Sequence, residues 1–187
     1  MITITEDIDV PVPTDRVWEV ISDPPQVVGC IRGAELGESH EDGSFDGAMV
    51  VKFGAVRVKF GARITLDLDA ETREGHLTAR GNDGQGATRY KANATFGVSE
   101  GPTAGTSRVS VRGEITLTGK LVPLIEAGAG AVISRMTKDF ADQLVRRCAG
   151  DEVVAAAAPV RRSFWARLGD WWRRITQKQR TRQEVAR

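Results

Sequence analysis

The sequence predicts an α+β fold: a curved antiparallel sheet wrapped on one long C-terminal helix, with a further amphipathic helix appended. Three observations carry this reading. Between about residues 34 and 117 the apolar positions recur mostly with period two. From Gly119 to Cys148 the period switches to 3.6. Beyond Gly150 the chain turns alanine-rich and then basic and tryptophan-rich.

The elements follow in order. Ile2, Ile4, Ile8 and Val10 roughly alternate with polar residues, as a first strand does, and Pro11 and Pro13 end it. Thr14 or Asp15 can cap a short helix carrying Val17, Trp18, Val20 and Ile21, which Asp23-Pro24-Pro25 stops. A second short turn, Gln26 to Val28, leads into the glycine-containing segment Gly29 to Gly37.

Five or six strands come next. Met49, Val51 and Phe53 share one side of a strand. Val56, Val58, Phe60, Ala62, Ile64, Leu66 and Leu68 share one side of another, with Arg57, Lys59, Arg63, Thr65, Asp67 and Asp69 opposite. Tyr90, Ala92, Ala94, Phe96 and Val98 point inward from one later strand, and Val109, Val111, Ile115 and Leu117 from another. Turn chemistry at Glu41-Asp42-Gly43, Phe53-Gly54-Ala55, Asn82-Asp83-Gly84 and Glu100-Gly101-Pro102 makes the connections short, so the strands form an antiparallel meander; GNDGQG at 81–86 reads as a hairpin turn. In the long helix Val122, Ile125, Ala129, Val132, Ile133, Met136, Phe140 and Leu144 line one stripe. Pro123 is tolerated only in a first turn, so the helix starts around Lys120 to Val122; it spans about 40 Å.

Three regions result: a body over residues 1–149, a linker over 150–162 and a basic amphipathic segment over 163–187. In the last, Phe164, Trp165, Leu168, Trp171, Trp172 and Ile175 fall within an arc of roughly 120° when wound at about 100° per residue. Arg167, Arg173 and Arg174 stand on the other side with Asp170, Gln177 and Lys178. Three of the four tryptophans lie here, in a segment too short to bury them itself. The formal net charge of +1 hides an asymmetry: residues 161–187 hold nine basic and two acidic residues, the remainder 17 basic and 23 acidic. A membrane surface suits a face of indole rings beside a face of arginines. A protein groove is the other partner such a segment can meet; nucleic acid binding does not need clean segregation into an apolar and a basic face, and no nucleic acid is expected. No stretch reaches the roughly 20 apolar residues of a spanning helix, and MITITEDIDV lacks a leader pattern. The expected location is the cytoplasm, peripherally on the inner face of the membrane.

Catalytic material is scarce. His40 and His76 are isolated, and the sequence has no HExxH, GxSxG, phosphate-binding glycine loop or Cys/His cluster. Cys30 and Cys148 lack metal-ligand spacing and are expected reduced, Cys30 as a small packed residue or a reactive thiol. Tyr90, the one tyrosine, needs a partner for its hydroxyl if buried, either core backbone or a ligand carbonyl. Gly128 and Gly130 lie beside Ala127, Ala129 and Ala131 where the helix crosses the sheet, each glycine at a cost of roughly 1 kcal/mol. Small inward residues Ala62, Ala92 and Ala94 face them. Either helix and sheet pack closely here, or they leave space for a ligand.

The element order resembles that of the START-like (SRPBCC) superfamily, whose fold is the helix grip. Val28-Gly29-Cys30-Ile31-Arg32-Gly33-Ala34-Glu35-Leu36 resembles the Cys-Ile-Pro-Gly-Ala motif of the CoxG family of carbon monoxide dehydrogenase subunits, with Arg32 where that motif has proline. Gly47-Ala48-Met49-Val50-Val51-Lys52-Phe53-Gly54 and Val58-Lys59-Phe60-Gly61-Ala62 extend the resemblance, which covers about residues 1–148. It implies an elongated apolar cavity between sheet and long helix. The lining would be Phe53, Phe60, Ile64, Tyr90, Ala92, Phe96, Val111, Ile115, Ile125, Ala129, Ile133 and Met136. It also implies association with the molybdenum-copper carbon monoxide dehydrogenase as an accessory component and not a catalyst, with no catalytic or metal-binding residues. Cavity and tail together lead to the expectation of a bound respiratory quinone, menaquinone or ubiquinone, or another isoprenoid or lipid, in a protein linking the enzyme to electron transport. A plain membrane tether, a general lipid-transfer protein and a cavity enzyme are the alternatives.

Overall fold

A computed structural model describes residues 1–150; the expected membrane helix over 163–187 and all but the first residue of the linker lie outside the described residues. The order is β1 (Ile2–Val10), α1 (Thr14–Ile21), α2 (Pro24–Cys30), β2 (Ala34–Ser39), β3 (Phe45–Phe53), β4 (Val56–Asp69), β5 (Glu74–Asp83), β6 (Thr88–Glu100), β7 (Ser107–Gly119) and α3 (Val122–Cys148). The strands form one antiparallel sheet in the order β1-β7-β6-β5-β4-β3-β2. Six strands succeed one another by short turns, as the period of two predicts, and β1 joins the far edge beside β7.

Two details differ from expectation. The N-cap of α1 is Pro13, and neither Thr14 nor Asp15 caps the helix. Thr14 is instead the first helical residue, and its hydroxyl donates to Glu100 across the fold at 3.4 Å, which takes the side chain away from the helix end. The segment GNDGQG is only half turn: β5 runs on through Gly81, Asn82 and Asp83, paired with Ala62, Gly61 and Phe60. Glycine is needed at position 81 because a side chain there would strike the Gly61 carbonyl of β4.

The core is in two parts, one at each end of α3. Around its C-terminal turns Ile8, Val10, Val17, Val20, Ile21, Val98, Val109, Leu144 and Cys148 are buried together, with Trp18 and Phe96 packed against them. Around its first turns Val51, Phe53, Val58, Phe60 and Ile125 form the second cluster, joined by Ile2, Tyr90 and Leu117. The long helix is thus pinned at both ends to a sheet that curls beneath it. Burial of large apolar side chains at roughly 25 cal/mol per Å² makes these clusters the main source of cohesion.

The segment resembling the Cys-Ile-Pro-Gly-Ala motif pins α2 to the last part of α3. Cys30 is 1% exposed. A side chain at Gly29 would collide with the Arg147 guanidinium, and the Arg32 guanidinium lies 3.8 Å from Asp139 on α3. Gly33 adopts φ +81°, a left-handed conformation that suits glycine, and its carbonyl accepts from the Val50 amide at 3.0 Å.

Candidate ligand cavity

Strand register decides what faces the helix. One cross-sheet row runs Phe45, Ile64, Ala79, Ala92, Ile115 and Ile2; the next runs Leu66, Leu77, Ala94, Gly113 and Ile4; a third runs Gly47, Ala62, Gly81, Tyr90 and Leu117. The concave face over β4, β5 and β6 is therefore rich in small residues, Ala62, Ala79, Gly81, Ala92 and Ala94, with Leu77 and Tyr90 among them. Above this floor, α3 makes its close backbone approaches to β1, β3 and β7, and β4, β5 and β6 lie between these in the sheet.

Burial along α3 follows the same pattern. Ile125 is buried at one end, Leu144 and Cys148 at the other, while Ala129, Val132, Ile133 and Met136 between them are only half-buried. Close-packed interiors bury such side chains fully. An apolar helix stripe left half-buried above a floor of small residues is the feature a ligand cavity between the layers would use.

The twelve residues expected to line a cavity divide into three groups. Ile64, Ala92, Ile115, Ala129, Ile133 and Met136 are half-buried and belong to neither end cluster. Phe53, Phe60, Tyr90 and Ile125 belong to the cluster at the start of α3. Phe96 and Val111 pack against the cluster at its end, Phe96 with its ring 6.4 Å from that of Trp18. The aromatic set is built edge to face: Phe53 to Phe60 at 6.4 Å and 81°, Phe60 to Tyr90 at 5.7 Å and 87°. These residues wall the centre off at one end.

Of the two partners open to the Tyr90 hydroxyl, backbone is the one present: it donates to the Gly61 carbonyl at 3.3 Å, and burial pushes its pKa up. The two helix glycines differ. A side chain at Gly128 would meet the Phe53 ring at 2.9 Å, so this glycine serves close packing, whereas Gly130 is exposed with open space around it. Both cysteines are free and buried; burial raises the pKa of each, outweighing the nearby cations Arg147 for Cys30 and Arg16 for Cys148.

Sequence reasoning missed several residues of the floor. Leu77 and Ala79 come from β5, whose inward positions also include Gly75 and Gly81 and so show weak contrast. Glu6 takes the place in β1 where the isoleucine alternation lapses: it shares the inward face with Ile4 and Ile8 and is half-buried. That lapse between Ile4 and Ile8 is the signal that could have found it. Asp83, at one end of the same face, is buried and accepts from the Thr88 amide at 2.6 Å, which commits it to the β5–β6 turn. His76 lies on the outer face of β5, and His40 in the β2–β3 turn has Nε2 3.1 Å from Asp46 Oδ2. A shallow depression near Thr5, Asn93 and Arg112 opens on the outer side of the sheet, away from α3.

The fold is shared with solved structures of low sequence identity. A conserved protein from Geobacillus kaustophilus superposes with a TM-score of 0.68 at 18% identity, over 80% of this chain and 96% of that one. A protein from Thermus thermophilus gives 0.58 at 15% identity, over 81% and 99%. An aromatase/cyclase from Streptomyces sp. R1128 gives 0.56 at 16% identity, over 84% and 99%. These likenesses establish the helix-grip architecture and nothing of the chemistry. No curated protein matches the sequence. A family profile for CoxG, a subunit of carbon monoxide dehydrogenase, matches residues 7–149, the whole body apart from its first residues and including the Cys30–Ala34 segment. The chain belongs to the CoxG family of carbon monoxide dehydrogenase subunits.

Proposed function

We propose that this protein is a non-catalytic accessory of carbon monoxide dehydrogenase that carries a respiratory quinone, or its isoprenoid tail, between the membrane and the enzyme. The observation that carries the reading is the bridging of β4–β6 by α3, with Ala79, Ala92 and Ala94 below and the half-buried Ala129, Ile133 and Met136 above. An isoprenoid chain leaving a bilayer unaided loses roughly 0.8 kcal/mol per exposed methylene, so an apolar interior removes most of the barrier to desorption. The basic amphipathic segment 163–187 rests on the anionic inner leaflet, each basic residue contributing about 1 kcal/mol there. Among the described residues no helix is long and apolar enough to cross a membrane. Acid–base chemistry of a cyclase kind finds little support: Glu6, Asp83 and Glu100 are the strand carboxylates on the concave face, Asp83 is committed to a turn, and Glu100 accepts from Thr14 of α1 at one end of the sheet.

The test is to produce the full chain in a quinone-containing bacterium, purify it gently and identify the extracted lipids by mass spectrometry. Near-stoichiometric quinone supports the carrier. Phospholipid or fatty acid in its place makes the protein a lipid-transfer protein. No ligand, with vesicle binding retained, reduces it to a tether. Replacing Trp165, Trp171 and Trp172 by glutamate is expected to move most of the chain to the soluble fraction, leaving a weaker residual binding, and unchanged membrane binding would defeat the anchor.

A further inference from the structure

The exposed surface of the body is not evenly composed. Three large apolar residues among the described ones are strongly exposed: Met1 at 73%, Val50 at 41% and Val56 at 45%. All belong to the same end of the body. Met1 precedes Ile2, and Val56 pairs with Phe53; Ile2 and Phe53 belong to the cluster around Ile125 at the start of α3. Val50 lies three register steps from the β3–β4 turn, opposite Lys59.

Cations gather at this same end. Lys52 and Arg57 stand directly opposite each other across β3 and β4, both exposed, an arrangement of like charges that destabilises an isolated sheet. Arg89, beside the β5–β6 turn, and Lys120, ahead of α3, add two more exposed cations. The carboxylates nearby are engaged: Glu126 holds the N-terminal amine at 2.8 Å, Glu35 lies 3.8 Å from Lys59, and Asp83 is buried. The far end carries Asp69, Glu71 and Glu74 at the β4–β5 turn, with Arg73 among them paired to Asp15, so carboxylates outnumber cations in that turn.

We infer that the end of the body formed by the β3–β4 turn, Met1 and the start of α3 docks directly on an anionic lipid bilayer. This rests on the membrane reading above and extends it from the tail to the body. Val50, Val56 and Met1 enter the headgroup boundary; Lys52, Arg57, Arg89 and Lys120 meet lipid phosphates, which relieves the Lys52–Arg57 repulsion. A bilayer fits better than an acidic protein. The apolar groups stand apart around a rim, at a turn and a chain start, with no contiguous apolar patch among them. A soft lipid plane accepts such points one by one, whereas a protein partner needs a complementary patch of about 800 Å². Docked this way, the Phe53–Phe60–Tyr90 wall is what stands between the bilayer and the central space.

The experiment uses the full chain and the full chain with W165E, W171E and W172E, in flotation with vesicles of phosphatidylcholine and phosphatidylglycerol. In both, Val56→Asp combined with K52E and R57E is expected to weaken binding about tenfold or more, with circular dichroism unchanged. Full binding by the charge-reversed, correctly folded chain overturns the proposal. A second readout avoids dependence on reversal: Val56→Trp, with the three tail tryptophans changed to phenylalanine, should show emission quenched by brominated lipid well beyond that of the same chain with Val56 kept, in which Trp18 alone emits. Emission from vesicle-bound chain no more quenched than in that reference overturns it as well. Loss of binding to purified dehydrogenase, with vesicle binding intact, assigns the surface to a protein and overturns the lipid assignment. Absence of quinone from the purified chain with docking intact sinks the carrier reading and leaves this one standing.

Discussion

The hydroxyl of Tyr90 donates to the backbone carbonyl of Gly61 on β4, two strands away across β5. The tyrosine therefore acts as a structural tie at the wall of the candidate cavity, with its ring edge to face against Phe60. Tyr90→Phe is expected to cost about 1 kcal/mol in denaturant unfolding, the net worth of one neutral hydrogen bond, and to leave ligand retention unchanged. If Y90F unfolds like the natural chain but loses its ligand, the hydroxyl serves the ligand and not the sheet.

Ala92 sits at the centre of the floor, flanked by Ala79 and Ile115 in register. In a filled core, Ala92→Leu would overpack and cost about 1–3 kcal/mol. Above an open space the added side chain has somewhere to go. The expected outcome is a stability change below about 1 kcal/mol together with at least tenfold weaker retention of quinone or of a fluorescent lipid probe. Strong destabilisation with ligand binding intact would favour close helix–sheet packing over a cavity.

Leu144 is fully buried where α3 meets β1, α1 and the far end of β7. Leu144→Ala is expected to destabilise the body by about 2–5 kcal/mol, measured by chemical denaturation. Because the two clusters share one helix, the loss should be seen in a single cooperative transition. Two separated transitions would show that the ends of α3 fold independently.

Burial raises the thiol pKa of Cys30 and Cys148 above the ordinary value of 9.0, and that of Tyr90 above 10.0. The folded state then holds these protons where the unfolded state releases them, so stability falls as pH rises past 9 toward the folded values. On the acid side, hydrogen bonds from Ser110 and Arg112 lower Asp7, and Arg108 lowers Asp9. Their contribution is present above the ordinary carboxylate value of 3.8 and is lost as pH falls below it. Thermal midpoints across pH should show both limbs. At neutral pH neither cysteine should react with iodoacetamide until denaturant is added; rapid native alkylation of Cys30 would contradict its burial.

Much of this architecture is legible in the chain because periodicity is a local property. The stripe from Ile125 to Leu144 and the alternation from Val56 to Leu68 each report one face of one element, and a face that repeats must be buried somewhere. The glycine and proline punctuation that ends β1, opens α3 and turns the hairpins is equally local. What the sequence by itself determined, then, is the identity and order of the elements, the inward face of most of them, and the concentration of tryptophan and net positive charge in the last 27 positions. β5 was the weak point, since Gly75, Ala79 and Gly81 carry little hydropathy contrast on the face they present.

Only the tertiary structure decided how those faces meet. Register across six strand pairs brings Ala79, Ala92 and Ala94 into one floor, and no single strand contains that information. The same holds for the division of Phe53, Phe60 and Tyr90 from Ile64, Ala92 and Met136. It depends on where α3 is pinned at its two ends and which residues lie between them. It holds too for the gathering of Met1, Val50, Val56, Lys52 and Arg57 at one end, where the chain start meets a turn that comes three strands later. Packing distances and charge neighbourhoods are properties of chain crossings, and a crossing joins residues that the sequence keeps separate.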